Sequence, residues 1–270
     1  MARRCGLLGL LLLGLLGGPS CLTSFRWRRT APRTARSAGR SDEAAALRGL
    51  AATGAVVGPM VDAIHNQALL RYDILPVAVS LPLGLACSSL LVPPLLAVAY
   101  VLLGRVLPAL AGPQEPVKPL PLLQLKALPR AILAVLSTCL VIKSSELLLP
   151  LSGSVALLLL SVLVILQWAC LDGRLSSLAL ALLAGVMGPI CELPLIYLGA
   201  WHYISPDYWP LSFLGLGPTT WAGLSMVTGP CYFAVTTDAI ALGRLFAQKG
   251  DAPPLRFRLG VHRGSPTLAA

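Results

Sequence analysis

Between Gly49 and Leu242 one long apolar stretch follows another, and nearly every polar residue there stands at the end of a stretch or alone inside one. No other feature restricts the fold as much. Backbone amides in hydrocarbon must be satisfied internally, so stretches of about 20 apolar residues are membrane helices. The two clearest are Leu175–Ala200 and Trp221–Leu242, separated by HYISPDYWPLSFLGLGP. Composition agrees: the chain is 56% hydrophobic and only 12% charged, with a mean hydropathy of +0.78. Soluble domains carry roughly 25% charged residues. The expected class is all-α, a polytopic membrane protein built as a six-transmembrane-helix bundle.

The other four spans are read from the same pattern. The first, Gly49–Ile64, is short and rich in small residues, which suits close helix packing. Asp62, His65 and Asn66 mark its end. The second lies within Ile74–Leu103, with its core at Leu83–Leu103 and a proline-made kink. A Pro-rich linker, Arg105–Arg130, leads to the third span, Ala131–Leu149, and the fourth is Ser154–Cys170. The six-helix domain is thus 49–246, followed by a basic tail, 247–270, expected to lack fixed structure. Trp201, Tyr203, Tyr208, Trp209 and Trp221 read as an interfacial aromatic belt.

Charge sets the expected orientation. The net charge is +10. Basic residues gather before the first span, in the linker, at Arg174 and from Arg244 onward. The opposite loops hold Arg71 beside Asp62, Asp73 and Asp207. The positive-inside rule puts both ends of the mature chain, with Asp172 and Arg244, in the cytosol or stroma. No basic stripe is interleaved with aromatics, so nucleic acid is not an expected partner.

The N-terminal region reads as a targeting leader. Arg3 and Arg4 precede an apolar run, Leu7–Leu16, too short to span a bilayer, and small residues follow. That is a signal-peptide layout, assigned to 1–21. Residues 22–48 are Arg-rich with no acid before Asp42, as in organelle transit peptides. Together they predict a plastid membrane reached through the secretory route. The alternative is an uncleaved signal anchor and an endoplasmic reticulum membrane.

Ionisable residues inside apolar spans are functional candidates by default. Lys143 and Glu146 lie three apart, on one helix face within mutual reach. Glu192 sits between Pro189 and Pro194, with Gly188 beside it, and Asp238 lies in the last span. The expectation is an apolar cavity bounded by spans one, three, five and six. It would hold one lipid, its polar head near Glu192 or the Lys143–Glu146 pair, with Gly188 leaving room for it. A packed interior in which the charges satisfy one another is the rival. A small proton-coupled transporter is an alternative function, as is a structural membrane subunit. Seven cysteines show no CxxC pair, and His65 and His202 lack partners at ligand spacing, so neither a metal nor a cofactor is expected. There is no GxSxG, P-loop, HExxH or GxGxxG, and no enzyme is expected.

One set of residues carries a family signature. The fourth span ends in Trp168 and Asp172, followed by Arg174, Ser176 and Ser177. The fifth leads to Tyr203, Ser205, Pro206 and Asp207. Trp221 opens the sixth, Cys231 and Phe233 follow, and Gly243, Arg244 and Leu245 close it. In order, spacing and sidedness these resemble the Insig family, the insulin-induced-gene proteins of the endoplasmic reticulum, with their plant and bacterial relatives. Asp62, His65 and Asn66, in GPMVDAIHN, look like the first helix of plant-type members. Leu171 stands where the family has an aromatic, and Gly173 replaces a basic residue. The resemblance implies a six-helix bundle around a lipid cavity. Sterol-pathway members bind oxysterols and hold other polytopic membrane proteins. The acid matching Asp172, with Arg174 beside it, implies partner binding. The bacterial relatives look like diacylglycerol-type lipid binders. The expected function is a non-catalytic lipid-binding protein that acts as a regulatory scaffold.

Overall fold

The structure is a computed structural model, which describes residues 33–65, 68–81, 84–111 and 123–248. The expected signal peptide, the first part of the transit-like segment (22–32), Asn66 and the tail beyond Gln248 lie outside the described residues. The chain divides into two compact units, Met1–Ala38 and Gly39–Ala270; all that follows concerns the second.

The protein is a polytopic helical membrane protein. Five helices are long and apolar enough to cross a bilayer: Asp42–Asp62, Val92–Ala111, Ala127–Leu147, Gly153–Leu171 and Leu175–Tyr197. The first is the greater part of α1 (Arg33–Asp62). The expected boundary at residue 49 therefore falls within a continuous helix. The second span differs from expectation. Residues assigned to its start form a hairpin instead, β2 (Pro76–Leu81) against β3 (Gly84–Ser89), following β1 (Leu70–Tyr72). Helix α2 (Val92–Val101) begins only where Pro93 and Pro94 can sit in its first turn, where no backbone donor is needed. It passes through a π-helical turn, Leu102–Val106, into α3 (Leu107–Ala111). The proline pair starts this span and does not kink it.

The remaining long helices are α4 (Ala127–Leu147), α5 (Gly153–Leu171), α6 (Leu175–Tyr197) and α7 (Thr228–Gln248). The sixth expected span begins at Thr228, not Trp221. Helix α7 is not among these five, and its position explains why. It packs against α4, α5, α6 and the π-helical turn, and most of its residues are buried, including Thr236, Thr237 and Asp238. Lipid faces the outer helices: Leu158, Val162 and Leu166 on α5 and Leu136 and Leu140 on α4 are all exposed. Small residues allow the close crossings. A Cβ at Gly243 would collide with the Gly104 carbonyl in the π-helical turn. Pro189 leaves the Gly185 carbonyl without its helical donor, and a Cβ at Gly229 would come within 2.9 Å of that oxygen.

Outside the helices, β1 pairs antiparallel with β4 (Trp201–Tyr203), in the register Leu70↔Tyr203, Arg71↔His202 and Tyr72↔Trp201. Strand periodicity turns Leu70, Trp201 and Tyr203 inward while Arg71 and His202 face out. These two small sheets are the departure from an all-α chain.

Candidate functional site

Glu192 lies at the centre of the site. It is 7% exposed on the last turns of α6, and two elements, β4 and α7, supply its three partners. The Trp201 indole donates to Oε2 at 3.1 Å and the Tyr203 hydroxyl donates to the same oxygen at 2.8 Å. The Tyr232 hydroxyl of α7 donates to Oε1 at 2.8 Å. Thr228 in turn donates to the Tyr203 oxygen at 3.1 Å. The two-residue period of β4 places Trp201 and Tyr203 on the same side, and the β1 ribbon holds them there. Burial pushes the Tyr203 hydroxyl well above its usual range, so it remains a donor.

Beside this carboxylate is a cavity of about 90 Å³. Gly58, Val61, Asp62 and His65 wall it from α1 and its following turn, Leu96 and Tyr100 from α2, Ile142 from α4, and Cys231, Tyr232 and Val235 from α7. Span two thus joins the four spans expected to bound it. Asp62 accepts a hydrogen bond from the Tyr72 hydroxyl. His65 is 6% exposed, and its Nδ1 has no hydrogen-bond partner. Burial holds its pKa below the ordinary 6.5, so the ring is neutral at neutral pH.

The other expected lipid-site residues lie elsewhere. Lys143 and Glu146 form the expected pair, 2.6 Å apart, but their side chains are 47% and 27% exposed and do not line the cavity. The helix turns that face outward. Gly188 does not border the cavity either. A Cβ there would run into the Tyr232 ring, so the glycine admits the tyrosine that reaches Glu192. Asp238 is fully buried; the Tyr100 hydroxyl donates to one oxygen at 3.4 Å and the other is unpartnered.

Asp172 and Arg174 stand at the opposite end of α5. Asp172 is 6% exposed and pairs with Arg244. The Trp168 indole donates to the Arg174 carbonyl at 3.0 Å, and Gly173, at φ +67°, makes the turn possible. Asp207 accepts from the Met226 amide at 2.8 Å and lies against Gly153, at the other end of α5 from Asp172. Ser205 and Pro206 border a separate depression beside it. His202 contacts Asp73 at 2.6 Å on the surface, far from any role with His65. Among the described residues no group of three His, Cys, Asp or Glu could hold a metal.

The expected aromatic belt divides. Tyr208 and Trp221 are exposed, while Trp201 and Tyr203 are buried donors to Glu192. Sequence reasoning missed that role, and it missed Tyr232 and Tyr72 altogether. The available signal was a tyrosine in an apolar helix, whose hydroxyl needs a partner.

Comparison with solved structures gives two matches: MvINS, a mycobacterial Insig homolog from Mycobacterium vanbaalenii, at a TM-score of 0.54, and a cross-linked trimer of MvINS at 0.53. Each is 23% identical, over 74% of this chain and 93% of that chain. The fold is Insig-like. No family model matches the chain, and no curated protein matches it. In this Insig-like fold the signature residues have local tasks. Gly243 lets α7 approach the Gly104 turn, Arg244 ties α7 to Asp172, and Tyr203 holds Glu192.

Proposed function

We propose that the protein binds one membrane lipid through its polar end in the Glu192 cavity and acts, without catalysis, as a regulatory scaffold for another polytopic membrane protein. One observation carries the lipid reading: a cavity among membrane helices that joins an apolar wall to two carboxylates and a histidine with an unpartnered nitrogen. Ionisable groups inside a bundle face one another or a polar guest. Here Glu192 has its partners, and His65 Nδ1 does not. A volume of about 90 Å³ suits a head group and the first carbons of a chain. The Insig-like fold supports the reading by likeness only. The turn carrying Asp172 and Arg174, tied to α7 through Arg244, is the proposed partner-facing end, on the cytosolic or stromal side. The residence proposed is a plastid membrane, plant or algal in type, with the endoplasmic reticulum as the alternative.

Native mass spectrometry of the mildly solubilised protein tests this. One retained lipid per chain, lost in Glu192→Ala, is the expected result. A lipid-free protein that takes up no added lipid overturns it. Proton-dependent flux in liposomes, abolished by Glu192→Gln, gives the cavity to a transporter instead.

A further inference from the structure

Hydrogen-bond accounting inside the cavity restricts its guest further. Four lining residues carry hydroxyls, and each proton is already spent on the protein. Tyr203 and Tyr232 donate to Glu192, Thr228 donates to Tyr203, and Tyr100 donates to Asp238. Asp62 has drawn in a fourth tyrosine, Tyr72, from outside the lining. Among the described residues, no Lys, Arg, Asn, Gln or Trp lines the space. What faces the guest is almost all acceptor: the remaining lone pairs of Asp62 and Glu192, the phenol oxygens, and an acceptor nitrogen of neutral His65. Among the described lining residues, the Cys231 thiol and the single His65 N–H are the donors left.

We propose, building on the lipid reading above, that the guest is a lipid whose polar end is a protonated primary amine, held by Asp62, His65 and Glu192. An ammonium group offers three donors and no acceptor, which complements this wall. It also neutralises two carboxylates that have no cation beside them among the described lining residues. A hydroxyl has one proton to give and sets its own lone pairs against carboxylates. A phosphate or carboxylate head meets like charge. A quaternary ammonium has no N–H and needs more room. The apolar wall of Gly58, Val61, Leu96 and Val235 receives the start of the alkyl chain.

The test uses the full chain in detergent, native mass spectrometry and three probes: hexadecylamine, hexadecanol and butylamine. Hexadecylamine should bind once per chain, at least about tenfold more tightly than the other two, a margin of about 1.4 kcal/mol. Asp62→Asn should remove that preference, and Glu192→Gln provides a second, independent variant should the first fail to fold. Equal or tighter binding of hexadecanol overturns the amine while leaving the lipid pocket standing. Binding of butylamine as tight as that of hexadecylamine assigns the cavity to a soluble amine and overturns the lipid. Undiminished hexadecylamine binding in both variants shows mere partition into the micelle and overturns the site. If neither long-chain probe binds, the lipid pocket itself fails.

Discussion

Two sets of charges sit at membrane depth in this protein, and their fates differ. Lys143 and Glu146 meet at 2.6 Å on an exposed face of α4. Glu192 is buried on α6, held by donors from a strand residue pair and from α7. The pair satisfies itself locally, whatever surrounds it. The single acid required three partners, two from the strand that follows its helix and one from a helix 40 residues on. A charge with its partner one helical turn away says little about the interior of a bundle. A lone acid in an apolar helix implies that an organised polar site exists elsewhere in the chain to receive it.

The comparison can be broken by experiment, beginning with the largest effect. Glu192→Ala leaves the Trp201, Tyr203 and Tyr232 donors buried without an acceptor, each costing about 1–3 kcal/mol. Thermal unfolding in detergent should fall steeply, and an unchanged melting temperature would contradict the geometry. Gly188→Leu should displace the Tyr232 ring and cost about 1–3 kcal/mol by overpacking. Because Gly188 is outside the cavity wall, that variant should lose lipid only through the Tyr232–Glu192 contact. Lipid loss equal to that of Glu192→Ala without loss of stability would return Gly188 to the cavity.

Acid provides a gentler probe. His65 has a depressed pKa in the fold, so below 6.5 the unfolded chain binds its proton more readily than the native one. Its contribution is present above 6.5 and is lost as the pH falls below that value. The melting temperature should drop between about pH 7.5 and 5.5, and His65→Phe should flatten that slope; an identical slope in the variant would remove His65 as its source. The smallest effect belongs to the exposed pair. Lys143→Ala should change stability by less than about 1 kcal/mol and leave lipid retention intact. A loss rivalling that of Glu192→Ala would mean that the pair faces inward after all.

The helices were legible because hydrocarbon enforces a simple rule: apolar length gives a span. The third, fourth and fifth expected spans keep their position to within a few residues, and the first starts earlier than expected, inside a longer helix. The second and sixth moved for identifiable reasons. Pro76 to Ser89 is apolar enough to resemble a helix, but its prolines and short reach favour a hairpin. The stretch from Trp221 to Val227 is apolar because it covers the bundle end. The acid of the site was visible as an isolated charge, and Asp62 and His65 as polar residues closing a span. Their convergence was not visible. It depends on α1 lying beside α7 and on strand pairing between residues 70–72 and 201–203, and no local pattern encodes either. Gly188 was misplaced for a related reason: a small residue near a charge marks space, and sequence does not say which side chain takes it.

The β1–β4 ribbon has a mechanical consequence. It begins a few residues beyond His65, and its second strand carries two of the three donors to Glu192. Widening the cavity by drawing the end of α1 away from α6 would shear this ribbon or carry it along. Arg71 and His202, cross-strand partners on its outer face, are both exposed. A fluorophore at either position would therefore act as a strain gauge in water for an event that occurs among the helices.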